Sequence, residues 1–145
     1  MKQRLPVHEK RIEIRWNDLD VYGHVNNAIY LTYLEEARDE WLGGSLGDPS
    51  QVWNWVLVHV EIDYRRELTL ADDIAVVTCR LDRIGNSSIT TKEAVRTVHG
   101  ELAAEAKAVL VARDRESGRS RSLTTAERAA FEGVAADGGQ ARERG

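Results

Sequence analysis

Hydrophobic and polar positions along the chain follow two periods, and their order predicts its elements. Ile12, Ile14 and Trp16 alternate with Arg11, Glu13 and Arg15, the pattern of a strand with one buried face. Residues 1–9 before it are polar and predict a loose lead-in. From Asn27 the period changes. Tyr30, Leu34, Ala37 and Trp41 recur at helical spacing, which predicts a helix over 27–42, with an Asn at its start and Gly43-Gly44 as its stop. Residues 43–54 are rich in Gly, Ser and Pro and predict a loop anchored by Val52 and Trp53. Val56, Val58, Val60, Ile62 and Tyr64 then alternate with Leu57, His59, Glu61, Asp63 and Arg65, the clearest strand of the chain.

After a turn at Ala71-Asp72-Asp73, Ala75, Val77, Cys79 and Leu81 share one strand face. Gly85-Asn86 is a hairpin signal, and the Thr- and Val-rich stretch 88–99 returns as a strand. Residues 101–112 are ambiguous. Their alanines favour helix on propensity, but Leu102, Ala104, Ala106, Ala108 and Leu110 alternate against Glu101, Glu105 and Lys107, and the alternation predicts a strand. Glu116-Ser117-Gly118 is a turn, and Thr124 with Glu127 forms a capping box that opens a short helix to about Phe131. The domain therefore covers 1–133, and 134–145, with little to bury, read as a disordered tail. A run of antiparallel strands needs cover on one face, and the single long helix is the obvious cover. The expected fold is α+β, a long helix wrapped by a curved antiparallel sheet of about five strands.

A length of 145 residues is one domain, and a net charge of −4 with pI near 5.6 gives no reason to expect nucleic acid as a partner. One cysteine allows no internal disulfide and suits a reducing, cytoplasmic setting. No apolar run approaches the ~20 residues of a membrane helix, so no membrane association is expected. The four histidines show no metal-ligand spacing. Gly43-Gly44-Ser45-Leu46-Gly47 spells a nucleophile elbow, but that motif needs a strand before it and a helix after it. Here it follows a helix, and Ser45 reads as a loop residue.

The stretch from Arg15 to Trp41 concentrates the chemistry. Asp18 and Asp20 precede a short loop through Gly23 and His24, and Asn26-Asn27 then open the helix. A carboxylate and an imidazole thus lie just before a helix N-terminus, whose free N–H groups and dipole attract an oxyanion. Taken singly, each residue has a plainer reading. The acids cap backbone N–H groups, His24 is a packed loop histidine, and Arg65-Arg66-Glu67 is a solvated strand end. The conjunction within ten residues, ahead of the helix, favours a site.

The segment Asp18-Leu19-Asp20-Val21-Tyr22-Gly23-His24-Val25-Asn26-Asn27, followed by Tyr30, Tyr33 and Glu35-Glu36-Ala37-Arg38, resembles the signature of hot-dog thioesterases of the 4-hydroxybenzoyl-CoA thioesterase family. Its nearest likeness is to bacterial long-chain acyl-CoA thioesterases. Asp63-Tyr64-Arg65-Arg66-Glu67 is similar to a segment of plant acyl-ACP thioesterases, although Tyr22 and Leu68 stand where those enzymes have Asn and Cys. The resemblance spans about residues 10–131. It implies hydrolysis of an acyl-CoA thioester to a carboxylic acid and CoA, without cofactor or metal. Asp20 would be nucleophile or general base, with His24 and Glu67 beside it, and backbone N–H near Asn26 and Asn27 would bind the oxyanion. Tyr22, Tyr30 and Trp41 would shape the acyl pocket, and Arg83, Ser87 and Ser88 at the hairpin would touch CoA. It further implies a homodimer or homotetramer, since such proteins join two sheets into one. Two alternatives stand beside it: hydrolysis of acyl carrier protein thioesters, and non-catalytic acyl-CoA binding. The hydratase segment Asp-x-Asn-Pro-x-His is absent.

Overall fold

The predicted strand and helix periods build one five-stranded antiparallel sheet on one long helix in the computed structural model, which describes residues 7–133. The strands are β1 (His8–Glu13), β2 (Trp55–Tyr64), β3 (Ile74–Ile84), β4 (Ser88–Arg96) and β5 (Leu102–Ala112), and the long helix is α1 (Asn27–Leu46). A second helix, α2, occupies 125–133. The sheet order is β1-β3-β4-β5-β2. β3, β4 and β5 are consecutive hairpin neighbours, whereas β2 crosses to the far edge and pairs with β5. This is the α+β hot-dog arrangement that the patterning predicts. No helix among the described residues is long and apolar enough to cross a membrane. The tail expected from residue 134 lies outside the described residues.

The core divides along α1. Tyr30, Tyr33, Leu34 and Ala37 pack with Ile14, Val25, Leu68, Val77 and Val95 near the start of the helix. Trp41 and Leu42 pack with Trp55, Cys79, Leu81, Ile89 and Phe131 near its end. There α2 plugs the open end of the sheet. Phe131 stacks on Trp41 with ring centroids 6.0 Å apart and meets Trp55 edge-on at 5.6 Å. The capping box is present, with Thr124 N–H donating to Glu127 and Glu127 N–H to Thr124 Oγ1. β5 is a strand despite its alanines, because β4 and β2 hold its backbone on both sides.

Several boundaries differ from the expectation. The first strand runs from His8 to Glu13, and Trp16 is exposed in a 3-10 turn, Trp16–Asp18. Pairing with β3 decides this: the ladder extends to His8 opposite Cys79, beyond the apolar alternation. Gly43-Gly44 does not stop the helix. The left-handed residue that ends it is Gly47 (φ 78°), and Gly43 serves another purpose. A Cβ on Gly43 would lie 3.1 Å from Pro49 Cα, so glycine there lets the following 3-10 segment Pro49–Asn54 fold back on the helix. Ser45 is accordingly helical, not a loop residue. Trp53 does not anchor its segment, since it is largely exposed. β2 buries its predicted apolar face only in part: Val56, Val58 and Tyr64 are exposed, whereas Val60 and Ile62 are half-buried and Ile62 packs against the core. It is an edge strand with a bulge between Leu57 and His59, which breaks the alternation.

Candidate active site

The loop between β1 and α1 closes on itself. Leu19 and Val25 form an isolated antiparallel bridge, and Asp20 N–H donates to the His24 carbonyl at 2.9 Å. Gly23 N–H returns to the Asp20 carbonyl at 3.0 Å, with Gly23 at φ 81°, where other residues are strained. The spacing Asp-x-x-Gly-His therefore sets Asp20 and His24 across from one another on a tight turn. One oxygen of Asp20, Oδ1, accepts Tyr22 N–H at 2.9 Å. Oδ2 has no protein partner among the described residues.

His24 Nε2 lies 3.1 Å from Glu67 Oε2, with both side chains open to solvent, so the contact orients the ring more than it stabilises the fold. Asn26 caps α1 by accepting Ala28 N–H at Oδ1, and its carbonyl accepts Ile29 N–H. Asn27 N–H, the first of the helix, has no partner among the described residues. These groups line one cleft of about 480 Å³, together with Tyr22, Tyr30, Tyr64, Arg65 and Arg66. A carboxylate oxygen, an oriented imidazole and a free N–H at a helix start can activate water and receive an oxyanion. Among the described residues no group of three His, Cys, Asp or Glu is placed to hold a metal ion.

Asp20, His24, Glu67, Asn26, Asn27, Tyr22 and Tyr30 are thus brought together as expected. Trp41 does not line this cleft: it belongs to the far half of the core. Arg83, Ser87 and Ser88 lie at the β3–β4 hairpin, ~30 Å along β3 from the cleft. Within one chain they do not reach it. Tyr64 is a cleft residue that the sequence reading misses, and its hydroxyl donates to the Asn27 carbonyl at 2.8 Å. The available signal was its position at the end of a strand, shortly before Glu67.

Asp18 does a different job from Asp20. It is buried, 2% exposed, and accepts Tyr33 O–H at 2.6 Å, Arg15 N–H at 3.0 Å and Arg15 Nη2 at 3.2 Å. Burial acts to raise its carboxyl, but the hydrogen bonds from Tyr33 and Arg15 outweigh burial and hold it below the usual value. A depressed folded pKa adds stability above the unfolded value that is lost as pH falls through the folded one. Asp18→Asn is expected to cost about 1–3 kcal/mol near neutral pH. The gap from the parent protein should close as pH drops below the ordinary Asp range, measured by urea unfolding at several pH values. A gap constant down to the most acid pH would refute this role.

A curved sheet on one helix, with an Asp and His turn at the helix start, is the architecture of hot-dog thioester hydrolases. The sequence pattern of the thioesterase-like superfamily matches residues 14–135, and the chain belongs to that family. It is 34% identical over 121 residues to the long-chain acyl-CoA thioesterase FadM of Escherichia coli (strain K12), covering 79% of this chain and 89% of that one. Among solved structures, a thioesterase from Thermus thermophilus in complex with coenzyme A and zinc matches with a TM-score of 0.81 and 33% identity. That match covers 91% of this chain and 96% of the other. A DHNA-CoA thioesterase from Staphylococcus aureus matches with a TM-score of 0.79 over 93% of this chain and 95% of its own, at 17% identity, a likeness of fold alone.

Proposed function

We propose that the chain hydrolyses acyl-CoA thioesters to a free carboxylic acid and coenzyme A in the cleft at the start of α1. The observation that carries this is the convergence there of the Glu67-held His24 with the Asp20 Oδ2 and the Asn27 N–H, neither of which has a partner among the described residues. The long-chain acyl-CoA thioesterase of Escherichia coli and the coenzyme A complex of the Thermus thermophilus thioesterase support the class. In this reading Asp20 attacks the thioester carbonyl carbon, or takes a proton from the water that does. The carbonyl electron pair moves onto oxygen, where Asn27 N–H at the positive end of α1 receives it. Collapse of the tetrahedral species breaks the C–S bond, and the thiolate gains a proton and leaves as CoA. If Asp20 attacks directly, water then hydrolyses the acyl-aspartyl anhydride. Tyr22 borders the acyl chain. A cytoplasmic setting fits the one free, buried cysteine.

The substrate would reach Arg83, Ser87 and Ser88 only from a second copy, so the reading includes at least a homodimer. The β2 edge exposes Val56, Leu57 and Val58, and the site loop exposes Val21 (96%) and Tyr22 (79%). Light scattering at micromolar concentration is expected to return at least twice the 16.3 kDa of one chain. A monomer would remove the hairpin from the reading. A carrier-protein thioester is the second reading, favoured by Arg65 and Arg66 at the cleft mouth. Both are already paired, Arg65 with Glu105 at 2.9 Å and Arg66 with Glu101 and Asp72 at 3.2 Å, which leaves little free positive charge for an acidic carrier. Thiol release from a panel of acyl-CoAs and acyl carrier proteins tests all three readings. Release from acyl-CoAs is expected, release from carrier proteins alone would shift the substrate, and acyl-CoA bound intact would make the protein a binder.

A further inference from the structure

Glu67 lies in an irregular segment after β2 ends at Tyr64: Arg66 N–H still donates to the Ala103 carbonyl of β5 at 3.1 Å, but residues 67 and 68 belong to no strand. Backbone polar groups in such a segment need other partners. The Glu67 carbonyl accepts from the Arg66 guanidinium at 2.9 Å, and Tyr30 supplies partners for the groups on either side. Its hydroxyl donates to the Arg66 carbonyl at 3.3 Å and accepts Leu68 N–H at 3.1 Å, so one oxygen grips the chain on both sides of Glu67. The ring itself is fixed. Tyr30 is 2% exposed, packs in the core under the helix start, and meets the Tyr64 ring edge-on at 5.1 Å. Tyr64 in turn holds the Asn27 carbonyl. On the far side, Val25 N–H donates to the Leu68 carbonyl at 2.8 Å, tying the residue after His24 to the residue after Glu67. The helix start, the His24 turn and the Glu67 segment are thus joined through one buried phenol. Burial raises its pKa, so the hydroxyl stays protonated and can both donate and accept.

We propose that Tyr30, expected from the sequence to line the acyl pocket, is a positioning residue whose hydroxyl sets Glu67 against His24. This rests on the thioesterase reading of the cleft. A phenol that only packed would need no oxygen there, and Phe would fill the same space. Losing the oxygen leaves two flanking backbone groups without partners and frees the Glu67 carboxylate from its distance to the imidazole.

The test compares Tyr30→Phe, Glu67→Gln and the double variant in steady-state hydrolysis of an acyl-CoA. Tyr30→Phe is expected to lower kcat about 10-fold with KM within about 2-fold, because positioning of a catalytic pair acts on the reaction step. Glu67→Gln should do the same, and the double variant should lose no more than about 2-fold beyond either single, since residues acting as a unit are non-additive. Additive losses, or normal kcat in Tyr30→Phe beside an impaired Glu67→Gln, would overturn the clamp and leave the thioesterase reading in place. Normal kcat in Glu67→Gln would remove Glu67 from the machinery and the clamp with it. A second measurement needs no variant. The Leu68 amide of the parent protein is expected to exchange with solvent slowly although it belongs to no strand, and exchange as fast as an open loop would also overturn the proposal.

Discussion

Asp20→Asn is expected to lower acyl-CoA turnover at least about 10²-fold and to move KM only a few-fold, since general-base catalysis alone contributes about 10²–10⁴. Asn keeps the shape of the side chain and can still accept Tyr22 N–H, so the turn that holds His24 should survive. What it lacks is the charge on Oδ2, the oxygen without a protein partner. Because no described protein group holds this oxygen, the loss should appear in catalysis and barely in stability. Asp18→Asn is the converse case, costly in stability and mild in turnover at temperatures where it remains folded. His24→Ala should fall between them in rate if the ring orients the water or the loop. Near-normal turnover in Asp20→Asn with loss in Asp18→Asn would shift the assignment by two residues. Full activity in both would leave the loop acids as structural caps.

The second large effect lies away from the cleft. Arg38 on α1 and Glu93 on β4 form a fully buried, two-pronged ion pair, with Nε and Nη2 each 2.8 Å from a carboxylate oxygen. Thr91 O–H adds a 2.6 Å bond to Glu93 Oε2, and the Cys79 thiol lies beside it. Burial, and then the Glu93 charge, push that thiol up, so it stays protonated. Removing either ion strands the other without water. Arg38→Leu and Glu93→Leu are each expected to cost about 3–5 kcal/mol, a large share of the stability of a domain this size. The double variant should recover most of that loss, because an apolar pair avoids the desolvation cost of two charges. Urea unfolding of the three variants checks this. A double variant as unstable as the two losses combined would mean that Arg38 and Glu93 act separately. The pair pins the middle of α1 to β4, so the register of the helix, and with it the height of Asn27 beside the Asp20 turn, depends on it.

The ion pair also shows where a period in the sequence was legible but not followed through. Arg38 stands four residues after Leu34 and three before Trp41, on the inward face of the helix. Glu93 alternates with Thr91 and Val95 on the inward face of its strand. Both charges sat at core positions, and their pairing follows once helix and strand are known to be packed. The site was more openly written. Asp20, Gly23, His24 and the Asn cap are close in sequence, and local hydrogen bonds alone bring them together.

Periodicity and local turn chemistry therefore determined the helix, the existence of all five strands, the capping box before α2 and the Asp20–His24 turn, because each depends on contacts within a few residues. The tertiary structure alone decided three things. It sent β2 past its neighbours to the edge beside β5, which exposed part of a face that its alternation would have buried. It carried the helix through Gly43-Gly44 to Leu46, with Gly43 facing Pro49 where a side chain would be crowded. It also brought Glu67, far beyond the loop in sequence, onto His24 while leaving Arg83, Ser87 and Ser88 at the far end of the sheet. These outcomes depend on which strands pair and which surfaces meet, and residues distant in sequence carry no local period that records it.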